Sequence, residues 1–106
     1  MTQEQKIQEL QMLEHHLQQI VLQKQAFQME IAETQSALKE VEKSGEDIFK
    51  IVGQLMLKAD KKETVEELNN KDKILSLRIK TLEKQEASLS EKLEKAKEEF
   101  TKSMKK

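Results

Sequence analysis

Proline, cysteine, tryptophan and tyrosine are absent from the 106 residues, and glycine occurs only twice. Without cysteine there can be neither disulfides nor thiolate zinc sites. Aromatic residues make up 3% and charged residues 37%, so the chain lacks the large side chains of a thick globular core. No apolar run approaches the ~18 residues a membrane span needs, and the N-terminus has no signal-peptide apolar segment. The expectation from these absences is a cytoplasmic protein without membrane contact. The net charge of -1 argues against nucleic acid as the main partner. No glycine-rich phosphate loop, nucleophile with an adjacent base, or carboxylate pair in a cleft is recognisable, so neither catalysis nor a cofactor is expected. His15 and His16 are neighbours on a helix and point about 100° apart, whereas metal ligands on a helix favour i, i+4 spacing. They are therefore read as solvated surface, and no metal is expected.

What remains is Glu, Lys, Gln and Leu, the composition of long helices and coiled coils. From Leu10 to Val41 the apolar residues follow a heptad. Position a holds Leu10, Leu17, Lys24, Ile31 and Leu38, and position d holds Leu13, Ile20, Phe27, Thr34 and Val41. Gly45 stands where a helix commonly stops on a C′ glycine. A second heptad places Val65, Asp72, Ile79, Glu86, Leu93 and Phe100 at a, and Leu68, Leu75, Leu82, Leu89, Ala96 and Ser103 at d. Asp60 precedes it at the spacing of an N-cap, with Glu63 in the capping-box position. The predicted elements are a helix over 4–44, a β-hairpin over 47–59 and a helix over 61–104, forming a single domain over 1–106.

The two stripes must bury themselves. Folded back antiparallel, they place Val41 opposite Val65, Leu38 opposite Leu68, Ile31 opposite Leu75 and Leu17 opposite Leu89, each a layer against a d layer. The centre of that register is Gly53. It puts Lys24 and Glu86 one layer apart, in reach of a diagonal ion pair, and Asp72 opposite Thr34, where a hydrogen bond can form only if Asp72 tilts outward. Alternatively, all three charged groups reach past the seam's edge into water. Residues 1–44 carry four Lys against seven Glu, and residues 61–106 carry thirteen Lys or Arg against ten Asp or Glu, so the helices attract modestly. The Lys residues of the second helix are interleaved with Glu at i+3 and i+4, the pattern of a solvated face rather than an RNA-binding one.

About four residues suffice to join two helices. Here the link is longer and apolar. Ile48, Phe49, Ile51 and Val52 favour a strand, Gly53-Gln54 offers a two-residue turn, and Leu55, Met56 and Leu57 return. Pairing Val52 with Leu55 and Ile51 with Met56 leaves both faces of the hairpin mainly apolar. A lone two-stranded hairpin is marginal in water and its edges are unpaired. The stretch therefore reads as an oligomerisation element. The competing reading is a hairpin folded onto its own helices as a cap.

Helix, hairpin and antiparallel helix at this length resemble the β-type subunit of the prefoldin family. The stretch IFKIVGQLMLKADKKETVEEL (48–68), with its VG turn, is similar to that family's hairpin and the start of its second helix. LSLRIKTLEKQEASLSEKLE (75–94) and LQQIVLQKQAFQMEI (17–31) are similar to its helices. Many relatives carry proline before the hairpin, where this chain has Lys43-Ser44-Gly45-Glu46. The resemblance implies a mainly α fold, an antiparallel two-helix coiled coil whose hairpin builds an oligomeric β-barrel. It implies a hexamer of two α-type subunits and four β-type copies. It also implies an ATP-independent holdase that grips unfolded client proteins at the coiled-coil tips and delivers them to a group II chaperonin. On that basis Ile7, Leu10, Met12, Leu13, Ala96, Phe100 and Met104 become the candidate client-binding residues. The alternative function is a structural scaffold or tether subunit that binds no client.

Overall fold

The computed structural model describes residues 2–104. In chain order the elements are α1 (Gln3–Lys43), β1 (Ile48–Val52), β2 (Leu55–Ala59) and α2 (Lys61–Met104). They are two long helices with a two-stranded antiparallel sheet between them in sequence. The chain divides into two compact units, Met1–Ala26 with Ile79–Lys106, and Phe27–Arg78.

Within each unit the helices pair antiparallel along the predicted stripes. In the first, Gln3 meets Met104 and Lys24 meets Glu86. In the second, Phe27 meets Arg78 and Ser44 meets Lys61. Every predicted a and d residue from Leu10 to Val41 and from Val65 to Ser103 is buried or half-buried. The buried apolar side chains are Ile20, Leu82, Leu89 and Leu93 in the first unit and Leu75 in the second. A two-helix seam shields each side chain from only one side, which is why so many seam residues remain half-exposed.

Helix α2 runs from Lys61 to Met104 as expected, whereas both ends of α1 depart from the sequence expectation by a residue. Helix α1 begins at Gln3 rather than 4 because Thr2 and Gln5 form a capping box. The Gln5 amide donates to Thr2 Oγ1 at 3.1 Å, and the Thr2 amide donates to Gln5 Oε1 at 2.9 Å. It ends at Lys43 rather than 44, and Gly45 is not its left-handed stop. The one positive-φ residue among those described is Gly53. Ser44 closes the helix instead, its hydroxyl donating to the Val41 carbonyl at 2.7 Å. Lys61, from the first turn of α2, donates to the carbonyls of Ser44 at 2.7 Å and Glu42 at 3.5 Å. Ammonium groups at a helix N-terminus oppose its dipole. Lys61 is placed there because it serves the C-terminus of the other helix, where a cation is favourable. Asp60 caps α2 as expected, accepting from the Lys62 amide at 3.1 Å.

A second correction concerns the seam of the second unit. Thr34, 3% exposed, does not bond Asp72. Its hydroxyl donates to the Glu30 carbonyl one turn back at 2.8 Å, as buried helical threonines often do. Asp72 instead accepts from Gln35 Nε2 at 3.0 Å. No described helix is long and apolar enough to cross a membrane.

Candidate functional site

The hairpin begins at Ile48 rather than 47. Its register pairs Ile48 with Ala59, Phe49 with Lys58, Lys50 with Leu57, Ile51 with Met56 and Val52 with Leu55. Gly53 takes φ +60° while Gln54 keeps negative φ, the signs of a type II′ turn. That turn matches the twist of antiparallel strands, so the VG sequence dictates a tight hairpin.

Alternation then sorts the side chains. Ile51, Met56, Phe49 and Lys58 share one face, and Val52, Leu55, Lys50, Leu57, Ile48 and Ala59 share the other. Phe49, Ile51, Val52, Leu55, Met56 and Leu57 are all exposed, Ile51 at 74%. Both faces thus carry apolar side chains in water, and a two-stranded sheet leaves both outer backbone edges unpaired. Two ion pairs hold the hairpin's base. Lys50 Nζ lies 2.9 Å from Glu67 Oε2 on α2, and Lys58 Nζ lies 3.7 Å from Asp47 Oδ1.

The candidate client-binding residues all fall in the first unit. Ile7, Met12 and Met104 are exposed, Met12 at 72%, while Leu10, Leu13, Ala96 and Phe100 are half-buried in the seam. Gln3 Nε2 donates to Met104 Sδ at 3.4 Å, so α1 and α2 remain in contact out to their ends. The Thr2-Gln5 capping box, a T-x-x-Q signature, is the signal that the helix runs on. His15 and His16 are exposed, with His15 Nε2 3.2 Å from Gln19 Nε2. Among the described residues no group of three or more His, Cys, Asp or Glu is arranged to hold a metal.

Sequence reasoning missed the exposed apolar residues outside the heptads, namely Leu22 and Met29 on α1 and Ile74 and Leu77 on α2. Their signal is an apolar residue at a c or f position, where a solvated helix face carries charge. Lys61 was missed as a cap because its target lies on a different helix.

The geometry defines a helical hairpin, two helices paired antiparallel within each unit, with six of the thirteen exposed large apolar side chains among the described residues carried by the two short strands between them. The comparisons with known proteins agree. Residues 4–106 match the family model for prefoldin subunits. Prefoldin subunit beta of Pyrobaculum calidifontis is 40% identical over 90 residues, covering 83% of this chain and 72% of that protein. Prefoldin subunit beta of Thermococcus onnurineus is 44% identical over 82 residues, covering 76% and 71%. The crystal structure of the prefoldin beta subunit from Thermococcus strain KS-1 is similar with a TM-score of 0.87 and 33% identity, covering 98% of this chain and 93% of that one. The chain belongs to the prefoldin subunit family.

Proposed function

We propose that the chain is a β-type subunit of a hetero-hexameric holdase, assembling through its hairpin with an α-type subunit and further copies of itself. The observation that carries this reading is the hairpin, with six large apolar side chains in water on two faces and both edges open. Such a surface is an aggregation hazard unless other strands complete it. Completion into a closed β-barrel removes the edges and buries one face. Membership of the prefoldin family supports the same assembly.

The second part of the reading is client capture at the helix ends. Ile7 and Met12 on α1 and Met104 on α2 offer exposed apolar groups, and Phe100, four residues before Met104 on α2, is half-buried. Methionine is unbranched and polarizable and adapts to many apolar partners. A holdase of this kind binds unfolded proteins without ATP and passes them to a group II chaperonin in the cytoplasm. The test is suppression of aggregation of a chemically denatured reporter protein by the assembled hexamer. Removing residues 98–106 is expected to weaken suppression while the hexamer keeps its mass. Unchanged suppression would place client contact elsewhere. Loss of suppression by the full-length hexamer would leave the scaffold reading.

A further inference from the structure

A shallow hollow on the flank of α1 is lined by Met12, His15 and His16, all three exposed and outside the seam. Both histidines of the chain fall here. The i, i+4 spacing that the two histidines lack as a pair is met by Met12 and His16. Residues so spaced on a helix have Cβ atoms about 5–6 Å apart on one face. A helical side chain also covers the turn before its own Cα, which carries the His16 ring back toward Met12.

His15 stands at i, i+3 from Met12, but one of its ring nitrogens is engaged. Its Nε2 lies 3.2 Å from Gln19 Nε2, an amide nitrogen that can only donate, so the His15 nitrogen accepts. That leaves His16 as the better ligand. Among the described residues that line the hollow, Glu9 is the one carboxylate and there is no lysine or arginine. A cation entering it meets attraction from Glu9 and no opposing ammonium or guanidinium.

The donors select the ion. Magnesium and calcium take oxygen ligands, and zinc draws on thiolate, imidazole and carboxylate. Among the described residues no group of three or more His, Cys, Asp or Glu is arranged to supply such a set. A thioether is a soft ligand and selects copper(I). A soft, closed-shell monovalent ion is satisfied by one sulfur and one imidazole. We infer that Met12 and His16 form a binding site for a soft monovalent metal ion of the copper(I) type, held by the Met12 sulfur and a His16 ring nitrogen. The site draws on neither the hairpin nor the assembly proposed above.

The test uses the full-length chain and silver(I), which shares the softness of copper(I) and keeps its oxidation state. In chloride-free buffer, calorimetric titration is expected to show silver binding, and the Met12 methyl and His16 ring signals are expected to shift together in NMR spectra. Met12→Leu and His16→Ala are each expected to weaken binding roughly tenfold or more, whereas His15→Ala changes it little. All three positions are exposed on a helix, so circular dichroism is expected to stay unchanged. Met29→Leu removes an exposed thioether that has no histidine beside it and is expected to leave the affinity as it was. The inference is overturned if Met12→Leu binds silver like the parent, which would leave the imidazoles alone as ligands. It is equally overturned if Met29→Leu weakens binding as much as Met12→Leu, if His15→Ala rather than His16→Ala abolishes it, or if zinc binds as tightly as silver.

Discussion

Lys24 Nζ lies 2.6 Å from Glu86 Oε1 across the seam of the first unit, with the two side chains 20% and 29% exposed. Each occupies a heptad a position that would otherwise hold an aliphatic side chain. The lysine on α1 and the glutamate on α2 meet diagonally between layers, as the antiparallel register requires. A shielded ion pair gains Coulomb energy but gives up hydration, and the two nearly cancel.

That balance sets the first prediction. Replacing both residues in Lys24→Leu, Glu86→Leu is expected to raise the melting temperature, because two apolar layers replace a desolvated pair. Lys24→Leu alone leaves Glu86 shielded and unpaired and is expected to cost about 1–2 kcal/mol, between the exposed and buried limits. The double variant is also expected to assemble heterogeneously, since the pair marks one register. Circular dichroism melts and light scattering give both answers. A homogeneous double variant would remove the register role and leave only the energetic one.

The heptad itself predicts a contrast. Leu75 is 3% exposed in the seam, and Met29 is exposed on α1. Leu75→Ala is expected to cost about 2–3 kcal/mol, near the low end for buried leucine because a two-helix seam can close on the gap. Met29→Ala is expected to stay within about 0.5 kcal/mol of the parent. Equal losses in urea titrations would mean that the stripe does not form the core.

Gly53 carries the turn at φ +60°, and nothing lies within 4 Å of where a Cβ would stand. The cost of Gly53→Val is therefore backbone strain alone, about 1–2 kcal/mol. Gly53→Asn is expected to cost less, since asparagine tolerates positive φ. In a reconstitution series the concentration needed for assembly should rise in the order Gly, Asn, Val. Indifference to all three would show that the hairpin conformation is not what assembles.

Lys61 should act on the link before the hairpin. Lys61→Met removes the ammonium from the Ser44 and Glu42 carbonyls. It also relieves a cation at the N-terminus of α2. The net loss is expected to be about 1 kcal/mol, below that of a buried charged hydrogen bond because the site is half-exposed. Hydrogen exchange should quicken at residues 44–48 while the middle of each helix keeps its protection. Unchanged exchange there would make the contact incidental.

Residue by residue, the helices and strands were largely legible in the sequence. The a and d positions alternate in steps of three and four, and every one lies in or beside the seam. The hairpin register was legible too, because the Gly53-Gln54 turn leaves one pairing that keeps Val52 opposite Leu55. What was not legible depends on side-chain choice between near-equal partners. Layer arithmetic placed Thr34 against Asp72, but a helical threonine has its own Glu30 carbonyl at hand, and the longer Gln35 reaches the aspartate. Gly45 suggested a left-handed stop, yet Ser44 and the distant Lys61 satisfy the same carbonyls. The exposed Ile74 lay outside the seam pattern, since heptad logic assigns c positions to solvent.

The central claim is that the hairpin is an assembly element. The most direct measurement is the mass of the purified 12.4 kDa chain by light scattering, alone and then with a cognate α-type subunit. The account predicts a shift to one discrete species of four copies with two α-type subunits. A stable monomer or dimer that ignores the α-type subunit would contradict it, and would make the hairpin a cap on its own helices.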